Sequence, residues 1–218
     1  MGRRISITLC LLVCIIQCGW AQSTVESIRK RYADIKEMIA EKTGEEENFN
    51  DGATFTQCYK VEASHWLPAT GGHKENITFY FGERENEEDQ IYDSHYLTFV
   101  TTKYNYSVRE YYEEYLYDED GKIAFIYAFA PYEYVEDTGS ADDVPLQIEF
   151  RFYFNKGKLL HAIIKKRPVE DNSTTPFKVD YEGKKLNGYY DQAYQRYVYS
   201  AEKYGKLFNT LDETTYGY

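Results

Sequence analysis

Arg109-Glu-Tyr-Tyr-Glu-Glu-Tyr-Leu-Tyr117, Asp118-Glu-Asp-Gly-Lys122 and Ile123-Ala-Phe-Ile-Tyr-Ala-Phe129 stand in tandem with a second set of three. The second set is Leu146-Gln-Ile-Glu-Phe-Arg-Phe-Tyr-Phe154, Asn155-Lys-Gly-Lys158 and Leu159-Leu-His-Ala-Ile-Ile-Lys165. Each set is an apolar-polar alternation, a turn with a glycine, and a second apolar run. Leu146, Ile148, Phe150, Phe152 and Phe154 share one face, and Gln147, Glu149, Arg151, Tyr153 and Asn155 share the other. Period two over this length predicts a strand with one face on a core and the other towards water. Ile123, Phe125, Tyr127 and Phe129 likewise share a face. Ala124, Ala128 and Ala130 lie opposite, a small surface that predicts a closely packed helix or a neighbour's bulky tyrosine. Gly121 and Gly157 supply the positive φ of tight turns, and turns this short impose antiparallel pairing.

Outward from these hairpins, strands are predicted at Thr54 to Glu62, Asn76 to Gly82 and His95 to Thr102. In the last, Leu97 and Phe99 alternate with Tyr96, Thr98 and Val100. His65-Trp66-Leu67-Pro68 and Ala69 to His73 read as a loop, and Glu83 to Gln90 as a charged one. Ser23 to Lys42 carries Val25, Ile28, Tyr32, Ile35 and Ile39 at helical spacing, with a capping-box pattern at Ser23 and Glu26 and a stop at Gly44. Tyr189 to Leu211 carries Tyr190, Ala193, Tyr197, Ala201, Tyr204 and Phe208 in a second stripe. Pro168 to Asn187 reads as an extended polar connection. The expected architecture is α+β: an antiparallel meander of about seven strands flanked by an N-terminal and a C-terminal amphipathic helix.

The chain has 218 residues, 43% of them hydrophobic, enough for one domain with a real core. Met1 to Ala21 has the form of a signal peptide: Arg3-Arg4, an apolar run from Ile5 to Ile16, and Gly19-Trp20-Ala21 before the cleavage point. The run is too short for a membrane span. The mature domain is then residues 22–218, exported to a periplasmic or extracellular space. Acylation at Cys18 is disfavoured by Gln17 before it. Cys10, Cys14 and Cys18 leave with the leader, so Cys58 has no partner for an internal disulfide. The two arginines leave too, taking the formal charge of −11 to about −13. Such a charge repels phosphate backbones and argues against nucleic-acid binding. The 24 tyrosines suit half-covered strand faces, either as solvated structure or as a platform on which a ligand stacks.

Nucleotide-binding glycine motifs, H-E-x-x-H and G-x-S-x-G are absent from the sequence. Cys58, His65 and His73 match no zinc spacing. Asp118-Glu-Asp-Gly121 begins like a calcium loop, but Ile123 and Phe125 occupy its continuation, so it reads as a hairpin turn. No cofactor and no metal is expected. Asn76, Asn105 and Asn172 head glycosylation sequons, which matter only in a eukaryotic secretory pathway. The interval Pro131 to Pro145 is long for a loop inside a compact domain, and such loops are commonly functional. Its Tyr132, Tyr134, Glu136 and Asp137, together with Trp66, are the candidate binding residues.

Tyr115-Leu-Tyr-Asp-Glu-Asp-Gly-Lys-Ile123 resembles the hairpin unit of bacterial tyrosine-aspartate repeat proteins, with Phe152 to Leu159 as a degraded copy. The whole chain loosely resembles small exported Bacteroidota proteins of unknown function, a resemblance that carries no site residues. The leading expectation is a non-enzymatic exported binding or interaction domain for a protein or a glycan. A carrier or sensor of an apolar ligand between sheet and helices is the alternative, and a carboxylate-based hydrolase a second.

Overall fold

A computed structural model of the protein describes residues 24–41, 57–84, 94–134, 144–169 and 174–216. Its strands are β1 (Cys58–Leu67), β2 (Gly71–Arg84), β3 (Ser94–Tyr106), β4 (Arg109–Tyr117), β5 (Ile123–Glu133), β6 (Leu146–Asn155), β7 (Lys158–Pro168) and β8 (Lys178–Gly183). They lie side by side in chain order as one sheet, every neighbour antiparallel. Helix α1 (residues 24–41) precedes the sheet and α2 (Gly188–Tyr216) follows it. Neither is long and apolar enough to cross a membrane.

Local chemistry explains the hairpins. At the β4–β5 turn, Asp118 Oδ1 accepts the backbone N–H groups of Asp120 (3.1 Å) and Lys122 (2.7 Å), while Gly121 takes φ +72°. Between β6 and β7, Lys156 and Gly157 both have positive φ (50° and 75°) inside the pair Asn155–Lys158. That is the two-residue turn whose twist matches its strands.

The sheet has a core on each face. On one side, Ile148, Phe150, Phe152 and Phe154 of β6 and the small Ala128 and Ala130 of β5 pack under Ala193, Tyr197, Ala201, Tyr204 and Phe208 of α2. On the other, Val25, Ile28, Tyr32, Ile35 and Ile39 of α1 lie on Phe99, Leu116, Phe125, Tyr153 and Ile163. Both helical stripes are those the spacing predicts. Each fully covered large side chain contributes about 1.5–3 kcal/mol, so the helices are held mainly by these apolar contacts.

The structure departs from the sequence reading in five places, one being that Pro131, Tyr132 and Glu133 are the end of β5 rather than the start of a loop. There are eight strands, because the polar connection from Pro168 to Asn187 contains β8. The loop through His65 and Trp66 is instead the end of β1 and the start of β2, with only Pro68 to Thr70 turning. The face of Arg151 and Tyr153 does not look to water, since α1 covers it and Tyr153 is only 2% exposed. Finally, Leu97 and Phe99 do not share a face, nor do Ile123 and Phe125. One extra residue at Thr98, Ala124 and Leu160 bulges β3, β5 and β7 and reverses the alternation there. Each bulge turns the residue beyond it (Leu97, Ile123, Leu159) towards α2, while Phe99, Ala124 and Phe125 face α1.

Candidate functional site

On its α2 face the sheet carries a run of rings at the end where the β1–β2 and β3–β4 turns lie. Period-two placement puts them there. His65 of β1 stands directly opposite His73 of β2, and Tyr104 of β3 opposite Tyr111 of β4. The histidine rings are 4.7 Å apart, His73 is 5.2 Å from Tyr106, and Tyr104 stacks on Tyr111 at 5.2 Å with 3° between planes. Tyr106 meets both tyrosines edge-on at 5.7 Å. His73 is fixed by a 2.6 Å hydrogen bond between Nδ1 and the Asn105 carbonyl. Tyr106 is 46% exposed and presents ring surface outward, Tyr104 and Tyr111 are half-buried, and His73, 6% exposed, is buried within the run.

Arg109 extends this surface to β5. Paired with Tyr106 across the turn, it places its guanidinium 3.4 Å from the centre of the Tyr132 ring. Cation–π contacts at exposed sites are worth about 0.5–1 kcal/mol. The Tyr132 and Tyr134 hydroxyls lie 2.9 Å apart, with their rings edge-to-face at 5.4 Å.

A buried carboxylate holds the platform from beneath. Glu113 is 4% exposed and faces α2. Tyr104 donates its hydroxyl to one oxygen at 2.6 Å, and Tyr115 donates to the other. Burial pushes the Glu113 carboxyl above the usual range, against the opposing pull of the two hydroxyls and of Arg196. Burial, then the nearby Glu113 charge, pushes the Tyr104 and Tyr115 hydroxyls far above the ordinary tyrosine value, so both stay neutral donors. The next carboxylate along β4, Glu114, faces α1, because successive strand residues point to opposite faces.

Of the candidates read from sequence, Tyr132 and Tyr134 come together. Trp66 does not join them: it is 78% exposed on the edge strand β1, and three strands separate β1 from β5, about 19 Å at normal strand spacing. Glu136 and Asp137 lie outside the described residues. So do the predicted leader and Asn172. Asn105 uses its side-chain amide within the turns, donating to the Gly72 and Ser107 carbonyls at 2.9 and 2.8 Å. Cys58 cannot meet the two histidines, since it lies seven residues from His65 on β1 and on the opposite face, opposite Tyr80. Among the described residues no group of three or more His, Cys, Asp or Glu converges on one point.

Sequence reasoning missed His65, His73, Tyr104, Tyr106, Tyr111, Arg109 and Glu113. A signal existed in Tyr104-x-Tyr106 and Tyr111-x-Glu113-x-Tyr115, two alternating runs joined by a two-residue turn, which must bring like positions face to face. Elsewhere, His95 Nδ1 meets Asp212 Oδ1 at 2.7 Å, and the same oxygen accepts the Tyr59 hydroxyl at 2.7 Å, which ties the end of α2 to β1 and β3. No protein-family model, curated protein or solved structure matches the chain, so a functional reading rests on these residues themselves.

Proposed function

We propose that the protein is an exported, non-enzymatic binding domain whose ligand is a neutral glycan lying across the rings from His65 to Tyr134. The observation that supports this most is the unbroken chain of ring contacts along β1 to β4, carried on to Tyr132 by Arg109, with Tyr106 turned outward. Rigid tyrosines offer large contact area at small entropic cost. Flat rings suit the C–H faces of sugars, and Glu75, opposite Tyr104 on the same face, suits their hydroxyls. An acidic chain disfavours anionic polymers. The apolar-carrier reading draws less support, because the buried residues of α2 and the sheet form one packed cluster and the clefts beside α2 and under α1 are lined with charge. A hydrolase needs two carboxylates in one cleft at defined separation; the buried pair Glu113 and Glu114 points to opposite faces.

The test is affinity electrophoresis and calorimetry with neutral β-glucan, xylan, mannan and chitin oligosaccharides. Retardation by at least one is expected, with affinity falling about tenfold or more in Tyr106→Ala. Tyr106 is half-exposed, so its removal leaves the fold intact. No retardation by any of the four, or full binding by Tyr106→Ala, would overturn the glycan reading. A single envelope protein captured instead, and lost with Tyr106→Ala, would make the partner a protein.

A further inference from the structure

Beneath α1, on the face away from the aromatic platform, the sheet carries charge. Glu114, Tyr127 and Arg151 stand directly opposite one another across β4, β5 and β6. Leu116, Phe125 and Tyr153 form the next such row. Helix α1 lowers Arg29, Tyr32 and Lys36 onto these rows from positions three and four apart, hence from one face. A cleft of about 410 Å³ lies between helix and sheet, within the size range of small-molecule sites.

Cations outnumber carboxylates in this cleft even when Glu149, paired to Arg151 from outside its lining, is counted. Glu114 is 1% exposed and already engaged: Tyr32, Tyr112 and Lys36 all donate to it. Arg29 donates through Nε to the Tyr153 hydroxyl at 3.2 Å. Arg151 spends one terminal nitrogen on Glu149 at 3.1 Å. Its Nε is buried and has no hydrogen-bond partner among the described residues. Three cations therefore face one carboxylate in the lining, within a chain of formal charge −11. A buried donor of this kind is costly unless an acceptor reaches it. The remaining wall is aromatic: Phe125 lies 4.9 Å from both Tyr32 and Tyr153, and Tyr112 and Tyr127 are 6.4 Å apart.

We propose that this cleft binds a small organic monocarboxylate carrying a flat ring. Its carboxylate accepts from Arg151 Nε and from the Arg29 guanidinium, and its ring lies against Phe125, Tyr127 and Tyr153. Guanidinium forks match the planar carboxylate. A dianion is disfavoured, because its second charge meets Glu114 and Glu149. The site uses no residue of the platform on the other face, so either proposal can fail alone.

The experiment is isothermal titration of the full protein with 4-hydroxybenzoate, with 4-hydroxybenzamide as the uncharged control and inorganic phosphate as the ringless one. Saturable binding of the carboxylate is expected, with the amide and phosphate each about tenfold weaker or more. Arg151→Gln should weaken carboxylate binding about tenfold or more at unchanged thermal midpoint. Arg29→Gln, at an exposed position on α1, gives the same comparison where Arg151→Gln disturbs the fold. No carboxylate binding up to about 10 mM, an amide or phosphate that binds as tightly, or wild-type affinity in both variants would overturn the proposal.

Discussion

Glu113→Gln should change how stability depends on pH, and the sign follows from the burial of the carboxyl. In the unfolded chain this group titrates near the ordinary glutamate value, about 4.3. In the folded protein, desolvation beneath α2 outweighs the Tyr104 and Tyr115 hydroxyls, and the carboxyl ionises at higher pH. Below the unfolded value both states are protonated, and the group's contribution is fully present. As pH rises the unfolded chain loses its proton first, so stability falls until the folded carboxyl has also ionised. Each tenfold weakening of its acidity on folding is worth about 1.4 kcal/mol of that fall. Glutamine keeps one oxygen for one hydroxyl and presents an amide to the other, at a cost of about 1 kcal/mol that does not vary with pH. The wild type should therefore exceed Glu113→Gln in stability by most at about pH 4, and the gap should narrow or reverse by about pH 8. Urea unfolding of both proteins, followed by tyrosine and tryptophan fluorescence across that range, measures the gap directly. A gap that stays constant, or widens with rising pH, would refute the assignment of Glu113 as a carboxyl raised by burial.

Two further outcomes are expected. A Cβ on Gly82 would sit 2.8 Å from the far end of the Tyr96 ring, which covers that glycine from the opposite strand and carries Arg84 at 5.0 Å. Gly82→Ala should cost about 1–2 kcal/mol in the wild type and become neutral or stabilising on a Tyr96→Ala background, where alanine is the better strand residue; additive denaturation energies in that double-mutant cycle would contradict the contact. Asp212→Asn weakens the acceptor for Tyr59 and His95 and should cost about 1–3 kcal/mol, a thermal midpoint lower by about 2–10 °C, whereas an unchanged midpoint would mean that the end of α2 is held by its rings alone.

The parts of the fold legible in the sequence are those where one physical signal acts without interference. The bounds of β4, the β6 face under α2, and both helical stripes each follow from an uninterrupted period. Three kinds of feature broke that rule. Edge strands are polar by necessity, because an apolar edge invites pairing with another chain; Lys178-Val-Asp-Tyr-Glu-Gly183 therefore looks like a connection, and the end of β1 beyond Glu62 looks like a loop. Bulges insert one residue, and a reading that assumes strict alternation assigns every position beyond Thr98 or Ala124 to the wrong face. Lastly, Arg151 and Tyr153 read as solvent-facing because arginine and tyrosine carry polar tips; a helix bearing its own arginine, lysine and tyrosine can cover such a face only by meeting those tips. The platform was partly legible: Tyr132 and Tyr134 stood out in a long interval, while Tyr104, Tyr106 and Tyr111 were hidden among strand tyrosines that also serve as core.

The central strand β4 links both proposed surfaces. Glu113 and Glu114 are consecutive, both buried, and face opposite layers. Burying two carboxylates side by side carries a desolvation cost that apolar residues of similar size would avoid. Neither is left bare: Glu113 gathers Tyr104 and Tyr115, and Glu114 gathers Tyr32, Tyr112 and Lys36. Each carboxylate therefore fixes the orientation of rings that would otherwise turn about χ1 and χ2, and of these Tyr104 lies in the platform and Tyr32 and Tyr112 line the cleft, while Tyr115 is core. Removing the Glu113 carboxylate frees Tyr104, which stacks on Tyr111 in the platform; removing that of Glu114 frees Tyr32 and Lys36 at the mouth of the cleft. Stability alone gives no reason for this arrangement on a central strand. Holding two sets of aromatic and polar groups in fixed positions on opposite faces does, and it accounts for why the least favourable residues of the core lie directly behind the surfaces proposed to bind.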